Sequence, residues 1–160
     1  MISPNLFWEF SIQLYKQPEV AKACVAAQDE WGADVNMLLF IAWQSQRGAC
    51  MQMEAIATLD EAVRGWREQV VQPIRELRRK LKAVSEAETS RALIQQAELA
   101  AERSQQDLML THVGAAASIL RGEGLAANLD CYREFLKLPD DAFDDVCSVL
   151  ETGLQTLAIA

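Results

Sequence analysis

Glycine and proline are scarce: the 160 residues include 7 Gly and 4 Pro. Collagen-like chains and Pro/Gly-rich disordered chains need a far larger share of both, so these classes are excluded. No internal repeat and no linker rich in Pro, Gly or Ser divides the sequence. A chain of this length buries an adequate core without disulfides or metals. We therefore expect one globular domain, in agreement with 51% hydrophobic and 24% charged residues.

Long apolar runs are also absent. The longest run, Met37 to Trp43, has seven residues, whereas a membrane-spanning helix needs roughly 20. The first residues, Met1 to Asn5, contain no basic segment followed by an apolar one, so we expect no signal peptide. Both observations favour a cytoplasmic protein without a membrane span.

Residue pairs that bind metals are not found in the sequence. The single histidine is His112, and the four cysteines form no Cys-x-x-Cys pair: Cys24, Cys50, Cys131 and Cys147. A zinc site needs about four such ligands at suitable spacing. We therefore expect no metal, no cofactor and no catalytic role for His112. The cysteines are expected to be reduced, small, buried residues.

Helical periodicity extends over the whole chain, and no segment alternates like a β-strand. Pro4 and Pro18 mark helix starts, because proline suits the first helical position. Gly32 and Gly48 mark helix ends, and Asp34 is a predicted N-cap. The predicted fold class is all-α, a single-domain helical bundle of about seven helices.

A heptad pattern predicts a long antiparallel helical hairpin within this bundle. Apolar or small residues recur at steps of three or four on two successive helices: Val70, Ile74, Leu77, Leu81 and Val84, then Ala87, Ser90, Ile94, Ala97, Ala101, Ser104 and Leu108. Gly65 is predicted to break or bend the chain before the hairpin. Pro73 either kinks the first helix or moves its start to about Val70. The domain would then comprise a core bundle (1–65), the hairpin (66–111) and C-terminal helices that pack back (112–160).

Positive charge is in the minority and concentrated in one segment. The chain has 15 Lys and Arg against 23 Asp and Glu, for a net charge of −8. Seven basic and two acidic residues lie between Arg64 and Lys82, so this segment carries +5 and the rest carries −13. A general nucleic-acid binder needs a dominant positive face, so the composition argues against nucleic acid as the partner.

Four basic residues of that segment share one helical stripe: Arg75, Arg78, Arg79 and Lys82. Arginine binds carboxylates and phosphates through paired hydrogen bonds. Two interpretations remain open. The stripe is either a solvated face whose cations pair with acids on a neighbouring helix, or a contact site for an acidic partner or an anionic ligand. The candidate acids across the hairpin are Glu88, Glu98 and Glu102.

Polar residues are concentrated directly before the most apolar helix, and Asn36 lies in the first turn of that helix. Buried polar groups need hydrogen-bond partners, so we expect a local network at this turn. The alternative is the floor of a polar pocket that could hold a small molecule. The candidate residues are Gln28, Asp29, Asp34, Asn36, Trp43 and Arg47.

Two blocks of the sequence resemble a family of uncharacterised proteobacterial proteins, a domain of unknown function. They are Phe7-Trp8-Glu9-Phe10, Gln28-Asp29, Gly32-Ala33-Asp34-Val35-Asn36, Leu38-Leu39-Phe40 and Trp43, then Trp66-Arg67, Val70-Val71, Pro73, Arg75 and Leu77-Arg78. The resemblance covers about the first 85 residues. It implies a cytoplasmic bacterial protein with an all-helical fold, and it implies no activity. It also suggests that the Asp34/Asn36 turn and the Trp66/Arg67 block lie together.

The sequence favours a non-enzymatic interaction or regulatory protein that binds an acidic macromolecular partner through its basic helix. This hypothesis rests on the missing catalytic motif, the predicted hairpin and the segregated charge. The alternative is a small-molecule binding protein or enzyme with a pocket between the Asp34/Asn36 turn and Trp66/Arg67. A cavity lined by Asp34, Asn36, Trp43 and Arg67 would favour that alternative.

We predict that all four thiols of the native protein are free. Alkylation of the unfolded, unreduced protein followed by mass spectrometry should show four modified cysteines, because a reducing compartment keeps thiols reduced. A disulfide between Cys131 and Cys147, or one zinc ion per chain, would contradict the prediction.

Overall fold

The computed structural model describes residues 4–116 and 124–159, and its regular structure in these ranges is entirely helical. The helices are α1 (Pro4–Tyr15), α2 (Pro18–Trp31), α3 (Val35–Gln46), α4 (Met53–Trp66), α5 (Gln72–Leu81), α6 (Glu88–Ala116), α7 (Leu125–Phe135) and α8 (Asp144–Ile159). A π-helical turn (Arg67–Val71) joins α4 to α5, and a 3₁₀ turn (Ser85–Ala87) precedes α6. The sequence also predicts Ser3 as the N-cap of the first helix and an interruption at Gly122, and both residues lie outside the described ranges.

Helices α4 and α5 form one continuous rod, because the residues at the junctions keep right-handed helical dihedral angles. Arg67 has φ −56° and ψ −50°, and Gln72 has φ −61° and ψ −47°. With the rod counted once, the described residues contain seven helices and no strand. The rod packs antiparallel against α6. The predicted all-α bundle with a long antiparallel hairpin is therefore confirmed.

The core of the bundle is centred on α3. All nine residues from Asn36 to Gln44 are buried. The Phe7 ring stacks on Trp43 with their centroids 5.0 Å apart, and it meets Phe40 edge-on at 5.2 Å. Helices α1, α2, α6, α7 and α8 all contact α3. A helix that is apolar on every face is stable only in such a central place.

The turn that leads into α3 has the predicted local structure. Gly32 adopts a left-handed conformation, with φ +70°, and ends α2. Asp34 then begins α3, since its Oδ1 accepts a hydrogen bond of 2.9 Å from the backbone N–H of Asn36. Glycine tolerates a positive φ and aspartate caps free helical N–H groups, so sequence alone identified this turn correctly.

Gly65 does not break the helix, contrary to the prediction, and Pro73, where a kink or a start near Val70 was predicted, lies in the first turn of α5. Gly65 lies inside α4, and the π turn follows two residues later. In that turn the backbone N–H of Gln72 bonds to the carbonyl of Arg67, five residues earlier. A proline in a regular helix clashes with the carbonyl four residues before it, and the wider π turn relieves that clash for Pro73. The proposed boundary between residues 65 and 66 therefore falls inside a continuous helix.

The π turn also changes which residues of the hairpin face each other. One extra residue in a turn rotates everything downstream by about 100°. Leu77 and Val84 are accordingly exposed, although the heptad pattern placed them in the seam, and so are Ser90, Ala97 and Ser104. Ala101 of the predicted seam is buried as expected, and the other buried residues in the described part of α6 are Glu98, Gln105, Gln106 and Met109. Most of these residues are polar, so an apolar pattern cannot identify them.

The C-terminal helices pack against the core. Asn128 of α7 accepts a hydrogen bond of 2.7 Å from the backbone N–H of Met51, and its Nδ2 donates to Ser45 Oγ at 2.8 Å. Helix α8 packs on α2 and begins at Asp144, after a turn at residues 140–143. No helix in residues 4–116 or 124–159 is both long and apolar enough to cross a membrane.

We predict that Phe40→Ala costs about 3–5 kcal/mol of unfolding free energy. Phe40 is fully buried and contacts two other aromatic rings, so truncation leaves a cavity. Leu93→Ala is the control, because Leu93 is 61% exposed and surface truncation costs less than about 0.5 kcal/mol. Urea titration measures both losses. A loss below about 1 kcal/mol for Phe40→Ala would contradict the central position of α3.

Candidate functional site

Asp34 is the centre of a buried polar cluster. One of its oxygens caps α3 at Asn36. The other, Oδ2, accepts hydrogen bonds from Arg67 Nη1 at 3.1 Å and from Gln105 Nε2 at 2.6 Å. The backbone N–H of Asp34 donates to the hydroxyl of Tyr132 at 2.9 Å. One residue in the turn before α3 thus joins α3, the rod, α6 and α7.

Arg67 bridges two buried carboxylates. Its Nη1 also donates to Asp60 Oδ1 at 2.7 Å, and the side chains of Asp34 and Asp60 are both less than one-tenth exposed. Burial lowers the pKa of Arg67, but the hydrogen bond to Asp60 and the charge of Asp34 outweigh that effect and raise the pKa above its usual range. Arg64 Nη2 lies 3.1 Å from the other carboxylate oxygen of Asp60, Oδ2. The two carboxylates are therefore balanced by two guanidinium groups.

Tyr132 completes the cluster as a neutral group. Burial raises its pKa well above the usual range, and the negative charge of Asp34 adds to that effect. The hydroxyl therefore stays protonated at neutral pH. Both oxygens of Asp34 already accept hydrogen bonds within the protein. These partners suit a clamp between helices better than a proton-transfer site.

A small cleft of about 310 Å³ opens beside this cluster. Its lining includes Gln28, Asp34, Asp60, Arg67, Gln105 and Tyr132. The cleft therefore lies near the pocket expected from the sequence, at the Asp34 turn. A cavity lined by Asp34, Asn36, Trp43 and Arg67 would have favoured a small-molecule site. Asp34 and Arg67 line this cleft, whereas Asn36 and Trp43 do not.

Gln106 forms a second buried link, from α6 to α1 and α3. Its Nε2 donates to Ser11 Oγ at 3.0 Å and to Asn36 Oδ1 at 2.9 Å. All three side chains belong to residues that are less than one-tenth exposed. The Oε1 atoms of Gln105 and Gln106 are buried and accept no hydrogen bond from the described residues. Burying an acceptor atom without a hydrogen-bond donor destabilises the folded state.

Arg75 and Arg78 are bound to glutamates across the hairpin. Arg75 donates from Nε to Glu98 Oε1 at 3.1 Å and from Nη2 to Glu102 Oε1 at 3.0 Å. Arg78 donates to both oxygens of the buried Glu98. Burial raises the pKa of Glu102, and the charge of Arg75 opposes that rise. For these two arginines, the structure therefore shows pairing across the hairpin.

The remaining two residues of the predicted stripe are more open to solvent. Arg79 pairs with Asp29 of α2 at 3.1 Å, and the two side chains are 45% and 50% exposed. An ion pair this exposed contributes about 0–1 kcal/mol. Lys82 is exposed and forms no ion pair with the described residues. The stripe thus divides into two half-buried arginines, Arg75 and Arg78, and two cations that are exposed to solvent, Arg79 and Lys82.

A larger cleft of about 570 Å³ lies among α1, α2, α3, α5 and α6. Arg75, Arg78 and Arg79 line it together with Gln28 and Asn36. It therefore brings together three residues of the predicted basic stripe and two residues of the predicted polar pocket. Its apolar lining includes Trp8, Ile12, Tyr15, Val25, Leu39 and Leu99.

Four predicted pocket residues line neither cleft: Asp29, which pairs with Arg79, and Trp43, Arg47 and Trp66. Trp43 packs in the aromatic core, and the guanidinium of Arg47 lies 4.6 Å from the centroid of the Trp43 ring. Trp66 donates from Nε1 to the backbone carbonyl of Ala101 at 2.9 Å and joins α4 to α6. The local turn predicted a cluster correctly, but the apolar helix that follows carries Trp43 and Arg47 away from it.

Sequence reasoning missed several residues of these sites. Gln105 and Glu98 follow the helical period of Ala101 and Met109 on α6, so a search for polar residues on a partly apolar stripe could have found them. Asp60 and Tyr132 carry no comparable local signal. They reach Asp34 only through packing between helices that are distant in sequence.

The cysteines differ from one another in burial. Cys24 is fully buried, and burial raises its pKa to about 12, so its thiol is unreactive at neutral pH. The expectation that all four are buried is wrong for the other three, which are half-buried: Cys50, Cys131 and Cys147. In the part of the chain that the structure describes, no three His, Cys, Asp or Glu residues are grouped to hold a metal ion.

The fold and these contacts define an all-α protein whose helices are joined by buried ion pairs and amide hydrogen bonds. A family model described as a protein of unknown function (DUF2390) matches residues 6–109. The chain belongs to this family, which confirms the resemblance to a family of unknown function. The match extends past the first 85 residues and includes Asp34, Arg67 and Gln105. No curated protein and no solved structure matched the chain.

We predict that Arg67→Gln costs about 3–5 kcal/mol of unfolding free energy at neutral pH, because it leaves two buried carboxylates without their shared cation. Arg64→Gln is the matched control. Arg64 also pairs with Asp60, but its side chain is 46% exposed, so its loss should cost about 0–1 kcal/mol. Urea denaturation of both variants measures the difference. Equal losses would show that the cluster does not stabilise the fold.

Proposed function

We propose that this protein is a non-enzymatic, cytoplasmic interaction protein that binds an acidic protein partner through the end of its hairpin. The observation that carries the proposal is an uncovered surface. Residues 72–97, here called the hairpin tip, contain no buried residue, although they are helical over most of their length. A helical segment that contributes nothing to the core is available for contacts with other molecules.

The hairpin tip carries large apolar side chains. Leu77, Val84 and Leu93 are 47%, 44% and 61% exposed. Single exposed apolar residues are common on any protein, but several on one segment without buried residues mark a contact surface. Apolar contacts of this kind supply affinity, whereas surrounding charges select the partner.

The hairpin tip contains six basic and three acidic residues, so its net charge is positive. Arg79, Lys80 and Lys82 are exposed, and we assign partner contact to them. Arg75 and Arg78 are occupied by glutamates across the hairpin, so we assign them to holding α5 against α6. The rest of the chain carries a net negative charge, which would repel an acidic partner elsewhere and orient it toward the hairpin tip.

We predict that Lys80→Glu combined with Lys82→Glu weakens partner binding at least tenfold, which is about 1.4 kcal/mol. Both lysines are exposed, so stability should change by less than about 0.5 kcal/mol. Partners captured from the source bacterium would be purified, and their Kd values measured against the wild-type protein and the variant by titration.

The matched control is Lys16→Glu combined with Lys22→Glu. These lysines are equally exposed, lie on the α1–α2 side, and make the same change in net charge. The control should bind each partner as the wild type does. A partner that binds all three proteins equally, or that is lost equally with both variants, would contradict docking at the hairpin tip.

A small-molecule site is the second candidate function, and the larger cleft favours it. Asp34 and Arg67 are occupied by contacts inside the protein, so the smaller cleft beside them offers few free polar groups. The larger cleft combines an apolar wall with Asn36 and three arginines, and its volume of about 570 Å³ lies within the range typical of ligand pockets.

A further inference from the structure

We infer that the larger cleft binds a small amphipathic anion, namely a carboxylate or phosphate group on an apolar body that also carries a hydroxyl or amide. This inference goes beyond the interaction function proposed above, because it concerns another ligand class and a cleft that shares only Arg79 with the residues assigned to partner contact. It follows from three features of the cleft: the size and apolar wall, the excess of positive charge, and an unpartnered hydrogen-bond donor at its buried end.

The wall of the cleft suits an apolar body. Trp8, Ile12 and Tyr15 contribute to it from α1, Leu39 contributes from α3, and Leu99 contributes from α6. Leu99 is 47% exposed, so part of this apolar surface faces solvent when the cleft is empty of ligand. Covering it with an apolar group would be favourable by the hydrophobic effect.

The charged residues of the cleft suit an anionic group. Three arginines and two glutamates line it, Arg75, Arg78, Arg79, Glu98 and Glu102, which leaves one positive charge in excess. The arginine with the weakest internal partner is Arg79, because its ion pair with Asp29 is exposed. A ligand carboxylate or phosphate can therefore replace Asp29 with little loss, and a guanidinium group offers it two parallel hydrogen bonds.

The buried end of the cleft suits a further polar group on the ligand. Asn36, Ser11 and Gln106 line it, and each is at most 6% exposed. Asn36 Oδ1 is used by Gln106, but its Nδ2 donates no hydrogen bond to any described residue. Gln106 Oε1 accepts none. Asn36 Nδ2 can therefore donate to a hydroxyl or amide oxygen of the ligand, whereas Gln106 Oε1 has almost no accessible surface and is assigned no ligand contact.

The test uses the fluorescent probe 8-anilinonaphthalene-1-sulfonate, which joins an aromatic body to a sulfonate, together with the full-length protein. We expect saturable binding of one probe per chain. Decanoate and decyl phosphate at submicellar concentrations distinguish a carboxylate from a phosphate ligand, since the preferred one should displace the probe at the lower concentration. Decyltrimethylammonium has the same tail and the opposite charge, and it should displace the probe at least tenfold less well.

Two pairs of variants locate the site. Ala92→Trp places a large ring at an exposed residue that lines the cleft, whereas Ala100→Trp places the same ring on the same helix at an exposed residue outside it. Arg79→Gln removes a cation that lines the cleft, and Lys80→Gln removes the neighbouring one that does not. We expect Ala92→Trp and Arg79→Gln each to weaken probe binding at least tenfold, and the two controls to bind as the wild type does.

Several outcomes would overturn the inference. They are absence of saturable probe binding, equal displacement by the cationic amphiphile, and equal binding by each variant and its control. All four substitutions lie at exposed positions, and circular dichroism verifies that each variant keeps its helices. Lys80 belongs to the proposed docking surface and not to the cleft, so failure of partner docking and failure of anion binding are distinguishable.

Discussion

The burial of the Asp34 carboxylate is the constraint on which the rest of the structure depends. A buried charge without partners costs several kcal/mol, and the partners of Asp34 come from four separate parts of the chain. It caps α3, receives Arg67 from the π turn and Gln105 from α6, and its backbone N–H bonds Tyr132 of α7. Each of these elements is thereby fixed relative to the turn between α2 and α3, and so is the central apolar helix that this turn begins.

The contacts of the hairpin differ along its length, because the polar residues of α6 have buried partners only near the body of the protein. Near the body, α6 presents buried polar residues, and these bind the Asp34 cluster, Ser11 and Asn36. Farther out, Arg75 and Arg78 close the hairpin on Glu98. Beyond them, no residue is buried. The two clefts therefore lie beside the polar face of α6, and the exposed apolar residues lie at the hairpin tip. Both proposed binding regions follow from where the internal partners of α6 begin and end.

Local chemistry explains which sequence predictions succeeded. Gly32 ends α2 and Asp34 begins α3, because a left-handed glycine and a capping carboxylate act within a few residues. The heptad pattern gave two antiparallel helices but an incorrect seam. The π turn before Pro73 rotated Leu77 out of the interface, and Glu98, Gln105 and Gln106, which lie outside the predicted seam, are buried in α6. Apolar periodicity cannot identify a polar interface whose partners lie far away in the sequence.

Features that depend on residues close together along one helix or turn could be predicted from the sequence. They are the all-α class, the central place of α3, the polar turn at Asp34 and the segregation of positive charge. What those charges contact is visible only in the folded chain. The tertiary structure paired Arg75 and Arg78 with Glu98, left Arg79 and Lys82 open to solvent, and separated Trp43 from the polar cluster. It also joined Asp34 to Asp60, Gln105 and Tyr132 through Arg67 and direct hydrogen bonds. Such pairings depend on distances between helices far apart in the chain, which no local pattern encodes.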